Sequence, residues 1–144
     1  MSLPDDAVSV EQRINAPPAT VFSFFSISER WLLWQGVEAT IELWPGGLLR
    51  VNVTGDGFAA GRILEVVQGR RLTFTWGWES PNHPVPPGSS TVTIELVPDG
   101  AGTLLRLTHT GLPPDFIDLH REGWELYIGR LQAIAIGDDG EPIT

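Results

Sequence analysis

The residues able to carry chemistry are few and widely spaced. His83, His109 and His120 are the three histidines, and they follow no metal-ligand spacing such as HExxH, so neither a zinc nor an iron site is expected. Ser80, Ser89 and Ser90 lack the G-x-S-x-G context that exposes a nucleophile. Gly46-Gly47 and Gly55-x-Gly57 fall in hairpin turns rather than between a strand and a helix, which argues against a phosphate-cradling loop and gives no reason to expect a cofactor. What remains is an acid–base role for His120, with Glu122 or with His109 across a gap, because an imidazole titrates near neutrality and can shuttle a proton. For both histidines a rim position satisfied by backbone or water is the favoured reading over direct contact with a ligand. Trp76 and Trp78, two residues apart, suit the wall of an apolar pocket as readily as a packed core. Arg50, Asp56 and Glu65 fit solvated strand faces, and Arg62 is kept only as a contact at the rim.

The elements that must position these residues follow from periodicity. Val8-Ser9-Val10 leading into Ile14 alternates as a strand does, and Asn15-Ala16-Pro17-Pro18 stops it and opens a short helix carrying Val21, Phe22 and Phe25. Ser28 is expected to cap a second short helix with Trp31 and Trp34 on one side, ending at Gly36. Strands are then expected over residues 38–44, 48–54, 58–67, 71–78, 91–97 and 102–110, separated by tight turns, which implies an antiparallel meander. The proline-rich residues 80–88 read as an exposed loop. Residues 114–137 carry the longest helical pattern. Its polar arc holds Asp118, Arg121, Glu122, Glu125 and Gln132, and its apolar arc Phe116, Ile117, Leu119, Trp124, Tyr127, Leu131 and Ile134, with His120 and Gly123 inside it. Gly123 beside Trp124 is expected to allow close approach of the helix to the sheet. Leu72, Phe74, Trp76 and Trp78 share one strand face, opposite Thr73 and Thr75.

The fold class is therefore α+β: a curved antiparallel sheet of about seven strands around a long C-terminal helix, with two short helices after the first strand. The 144 residues suit one domain, 1–144, able to bury a core without cross-links, and the chain has no cysteine. No apolar stretch reaches membrane-spanning length and the N-terminus lacks a signal-peptide pattern, so a cytoplasmic setting without a membrane partner is expected. A formal charge of -9 disfavours nucleic acid.

A bent sheet and a straight helix need not meet flush, and aromatic rings can line the gap. The order of local motifs reinforces this. Arg13-Ile14-Asn15-Ala16-Pro17, then Val21-Phe22, Trp34 and Leu43-Trp44-Pro45-Gly46-Gly47 open the series. Gly61-x-Ile63-Leu64-Glu65-Val66, Arg70-Arg71-Leu72-x-Phe74-Thr75-Trp76, Leu107-Thr108-His109-x-Gly111-Leu112-Pro113 and His120-x-x-Gly123-Trp124 continue it. Together they resemble the branch of the START-like (SRPBCC, helix-grip) superfamily named for homologues of the activator of the heat-shock-protein-90 ATPase. The resemblance implies a helix-grip fold with a cavity, in a superfamily of lipid carriers, hormone receptors, polyketide cyclases and antibiotic-sequestering proteins. Its family name suggests a chaperone-accessory role, although small stand-alone members look like single ligand-binding domains. Residues 81–88 depart from the pattern and suggest a rigid lid at the cavity mouth.

The expected function is binding or sequestration of a small apolar or aromatic molecule, with Trp34, Phe58, Arg62, Phe74, Trp76, Trp78, His109, His120 and Trp124 as candidate contacts. A cyclase- or hydrolase-type enzyme using His120 is the alternative. Edge strands and apolar residues such as Ile136 on the polar arc allow a homodimer.

Overall fold

The computed structural model describes residues 7–135. The elements run β1 (Val8–Ile14), α1 (Pro18–Ser26), α2 (Ser28–Trp31), β2 (Glu38–Ile41), β3 (Leu48–Asn52), β4 (Phe58–Val67), β5 (Arg71–Trp78), β6 (Ser90–Asp99), β7 (Gly102–Thr110) and α3 (Pro114–Ala135). They form the helix-grip α+β arrangement. β2 to β7 make a meander in chain order, because each short turn returns the chain beside the strand it has just left. β1 closes the sheet as β7's outer neighbour, with Val8 opposite His109 and Ile14 opposite Thr103. All neighbours are antiparallel, giving the order β1-β7-β6-β5-β4-β3-β2.

Two local devices bend the sheet. The register of β4 against β5 shifts between Ile63 and Glu65, a bulge that increases local twist. Just before it, a Cβ at Gly61 would lie 1.7 Å from the Thr75 carbonyl oxygen, so the two backbones approach more closely than any side chain permits.

The helices between β1 and β2 fill one end of the interior with rings. Phe25, Trp31 and Trp34 pack within 4.8–5.8 Å of one another, and Trp31 continues to Phe74 at 6.1 Å. The indole N–H of Trp34 donates to the Phe24 carbonyl at 2.9 Å, so this buried ring carries no unmet polar group. The first turn of α2 differs from the sequence expectation. Ile27 occupies the N-cap position without a side-chain cap, and Ser28 is already helical. β2 also ends at Ile41 rather than at 44, because Glu42 folds back to accept the Leu48 N–H on its side chain and Gly46 donates across to the Ile63 carbonyl.

α3 buries Trp124, Ile128, Leu131 and Ala135 at 4-3-4 spacing and packs against β1. Phe116, Ile117, Tyr127 and Ile134 are partly buried beside them. Leu119, expected on this arc, is 62 % exposed, since five positions before Trp124 is about 140° around the helix. Ile128 takes a core place that the sequence projection did not assign. Ile136, one of the features on which the homodimer expectation rests, lies outside the described residues, as does Gly137. Among the described residues, no helix is long and apolar enough to cross a membrane.

Gly61→Ala is expected to lower stability by about 1–3 kcal/mol, because a methyl group against backbone has nowhere to go. Urea unfolding monitored by tryptophan emission should show a lower midpoint with an unchanged slope.

Candidate functional site

The layers separate between the N-terminal half of α3 and the end of β5, leaving a cavity of about 220 Å³. Trp76 and Trp78 reach it together because alternate residues of β5 share a face. From α3 come Phe116, His120, Trp124 and Tyr127, which recur three or four residues apart on one side, with Leu119 at the margin. Gly123 lies among them, and a Cβ built there would meet nothing within 4 Å. This overturns the expectation that Gly123 permits close helix–sheet contact; it instead leaves a notch in the cavity wall. Val53 and Gln35 also line it.

The proline-rich loop supplies the last wall residue, His83. It is exposed as its composition implies, apart from an anchor at Val85 and a half-buried His83. Val85 is fully buried, its carbonyl accepts the Trp78 N–H at 2.7 Å, and its own N–H donates to His83 Nδ1 at 2.9 Å. A Cβ at Gly77 would lie 1.8 Å from the Pro86 carbonyl oxygen, so only glycine lets the returning loop run this close to β5. The His83 ring then sits 6.1 Å from Trp78 and 5.7 Å from Phe116.

The hydrogen bonds in the wall have determinable directions. An indole N–H only donates. Trp124 Nε1 lies 2.9 Å from His109 Nδ1, so Nδ1 is the acceptor and the ring's proton is on Nε2, which donates to Ser90 Oγ at 2.8 Å. Ser90 in turn donates to the Trp76 carbonyl. Trp78 Nε1 lies 3.1 Å from His120 Nε2, which leaves His120 Nδ1 to donate to the Phe116 carbonyl at 2.8 Å. Both imidazoles are thus held neutral, as opposite tautomers, with every nitrogen engaged. Their rings stand perpendicular at 5.2 Å. Burial, and then the neighbouring His120, push the His109 pKa down to about 3. Burial also lowers that of His120, against the opposing pull of its bond to the Phe116 carbonyl.

Of the residues singled out from sequence, Trp76, Trp78, His120 and Trp124 come together on the cavity wall. His109 lies one layer behind, fully buried under Trp124. Trp34 and Phe74 stand in the packed aromatic core. Phe58 lies under the Arg50 guanidinium, 3.9 Å from its ring centre, and Arg62 is on the exposed side of β4. Gln35 and His83 are the polar wall residues that sequence reasoning left out. His83 had one signal, the lone apolar Val85 two residues later in a proline-rich run, which marks an anchored loop. Among the described residues, no group of three His, Asp or Glu side chains is placed to hold a metal.

Because the unfolded chain protonates an ordinary histidine near pH 6.5 while the folded chain refuses that proton until about pH 3, His109 makes stability fall as pH drops through this window. Above pH 6.5 the contribution is fully present. Between pH 7 and pH 5, urea unfolding should show a loss of about 2 kcal/mol from this residue. His109→Gln should be less stable at pH 7 yet flatter over that range, with His120 supplying the remaining histidine slope.

The sequence profile described as "Activator of Hsp90 ATPase homolog 1-like protein" matches residues 15–135. No curated protein matches the chain. Among solved structures, the AHSA1-like protein of Rhizobium etli is 48% identical, with TM-score 0.72 over 94% of this chain and 85% of that one. CalU16 of Micromonospora echinospora is 27% identical, with TM-score 0.73 over 96% and 83% of the two chains. DynU16, titled a putative protein in the dynemicin biosynthetic locus, shares the fold at TM-score 0.81 and 24% identity; 94% of this chain spans 49% of that one. With the profile covering most of its length and the sheet, gripped helix and cavity all present, the chain belongs to the activator-of-Hsp90-ATPase-homologue-1-like family of the START-like superfamily.

Proposed function

We propose that the chain is one START-like domain that binds a small apolar or aromatic molecule in the cavity between β5 and α3. The observation that carries this is the aromatic wall, open at Gly123, in which both nitrogens of His120 are engaged within the protein. At about 220 Å³ the space is below the usual range of about 300–1,000 Å³ for drug-sized ligands, which suits a one- or two-ring guest better than an extended lipid chain.

Acid–base catalysis by His120 finds less support. Its Nε2 lone pair is taken by Trp78 and its Nδ1 proton by the Phe116 carbonyl, so neither is free for a bound carbonyl or enol. A chaperone-accessory role is the second reading, favoured by the family's description. Stimulation of an Hsp90 ATPase by the purified chain, undiminished when the cavity is filled, would establish it.

Gly123→Leu supplies the filled cavity. The new side chain extends into open space and replaces a helix-weakening glycine, so the variant should fold with a melting temperature equal to or above that of the native chain. Bicyclic aromatic ligands should change tryptophan emission and raise the melting temperature of the native chain, and do neither for Gly123→Leu. Equal binding by the two proteins would place the guest elsewhere.

A further inference from the structure

The polar atoms around the cavity are unevenly divided between donors and acceptors. Trp78 and Trp124 direct their N–H groups at the acceptor nitrogens of His120 and His109, and the protons of those rings go to the Phe116 carbonyl and to Ser90. Neither imidazole keeps a lone pair for a guest.

Gln35 stands in contrast. It is 3 % exposed and lines the cavity, and its Oε1 accepts the Trp31 indole N–H at 3.0 Å. Because an indole cannot accept, the atom facing Trp31 has to be the amide oxygen. The amide Nε2 is left with two hydrogens and no acceptor among the described residues. A second donor belongs to a residue of the same wall: the Trp76 indole N–H is buried without a partner among the described residues. His83 adds a third at the mouth, since its Nδ1 accepts from Val85 and the neutral ring therefore carries its proton on Nε2. The Tyr127 hydroxyl can act in either sense.

We infer, building on the binding role proposed above, that the guest is an aryl carbonyl compound: an apolar ring system whose acceptor oxygen takes the Gln35 amide N–H. A buried donor left unpaired costs free energy, so a site with donors in excess favours a guest that brings an acceptor and penalises one that brings another N–H. Gln35 then sets selectivity, while the aromatic wall supplies the bulk of the contact. The sequence contains neither lysine nor cysteine, so a ketone in the cavity meets no side-chain amine or thiol and is held without a covalent bond.

Three bicycles of similar shape separate these contributions: 1-indanone offers an acceptor, indole a donor and indane neither. In ¹⁵N–¹H NMR titrations of the native chain, 1-indanone should bind roughly tenfold tighter than indane or indole. The side-chain amide resonances of Gln35 should move with 1-indanone alone. Gln35→Glu keeps an oxygen for Trp31 and removes the amide N–H, and should erase most of the 1-indanone advantage over indane. Should that variant fail to fold, Gln35→Met serves the same comparison; for either variant the readout is the ratio of 1-indanone to indane affinity, expected to fall close to one. Equal affinity for all three probes with no movement of the Gln35 amide would overturn the selectivity while leaving the cavity a binding site. A uniform weakening of all three by the Gln35 variants would reduce Gln35 to packing and overturn it too. If no probe binds, both this inference and the binding role fall.

Discussion

An indole N–H aimed at an imidazole nitrogen fixes more than a hydrogen bond: it dictates which tautomer the histidine adopts and keeps it uncharged. Here that happens twice, and each time the bond crosses between layers. Trp124 on α3 reaches His109 on β7, and Trp78 on β5 reaches His120 on α3. The helix is thereby held to the sheet by polar bonds of defined length as well as by apolar contact. Rings this large keep the layers apart where they meet, and the bend of β4 does the rest. The cavity is the residue of those two constraints.

Apolar burial holds the remainder. A continuous series of rings runs from Phe25 through Trp31, Phe74 and Trp76 to Trp124, with neighbouring centres 5.2–6.1 Å apart. Each such pair contributes about 0.5–1.5 kcal/mol beyond area burial. The ion pairs belong to the outer surface. Arg71 reaches Glu65 and Glu95, Arg106 reaches Glu11, and Arg50 grips Glu79 with two bonds. Exposed pairs of this kind contribute little to stability, which matches the solvated role assigned to Arg50 and Glu65 from sequence.

The fold was legible because β4, β5 and β7 announce themselves by alternation between strong turn signals, and those three strands begin and end where the pattern says. Helix α3 was legible in extent and less so in detail. The helical projection drew the apolar arc wide enough to include Leu119, which lies at its margin and is exposed. Four wall residues, Trp76, Trp78, His120 and Trp124, could be anticipated because strand parity and helical spacing bring them to one side. Gln35 and His83 lie in irregular backbone where no periodicity predicts orientation, and only His83 had a signal, the lone apolar Val85 nearby. Nor could spacing distinguish an imidazole that is engaged at both nitrogens from one poised for proton transfer; that distinction needs the donor atoms facing it. Gly123 was misread for a related reason: a missing Cβ permits closeness or leaves a void, and only the neighbouring atoms decide which.

The early end of β2 has a consequence for association. At four residues, Glu38–Ile41, it is the shortest strand, and it forms one margin of the sheet, while α3 packs against β1 at the other. A strand arriving from another molecule would find only a brief run of unpaired amides to zip onto, too few to repay its ordering. Curtailing that border makes ribbon-like polymerisation through β2 unrewarding.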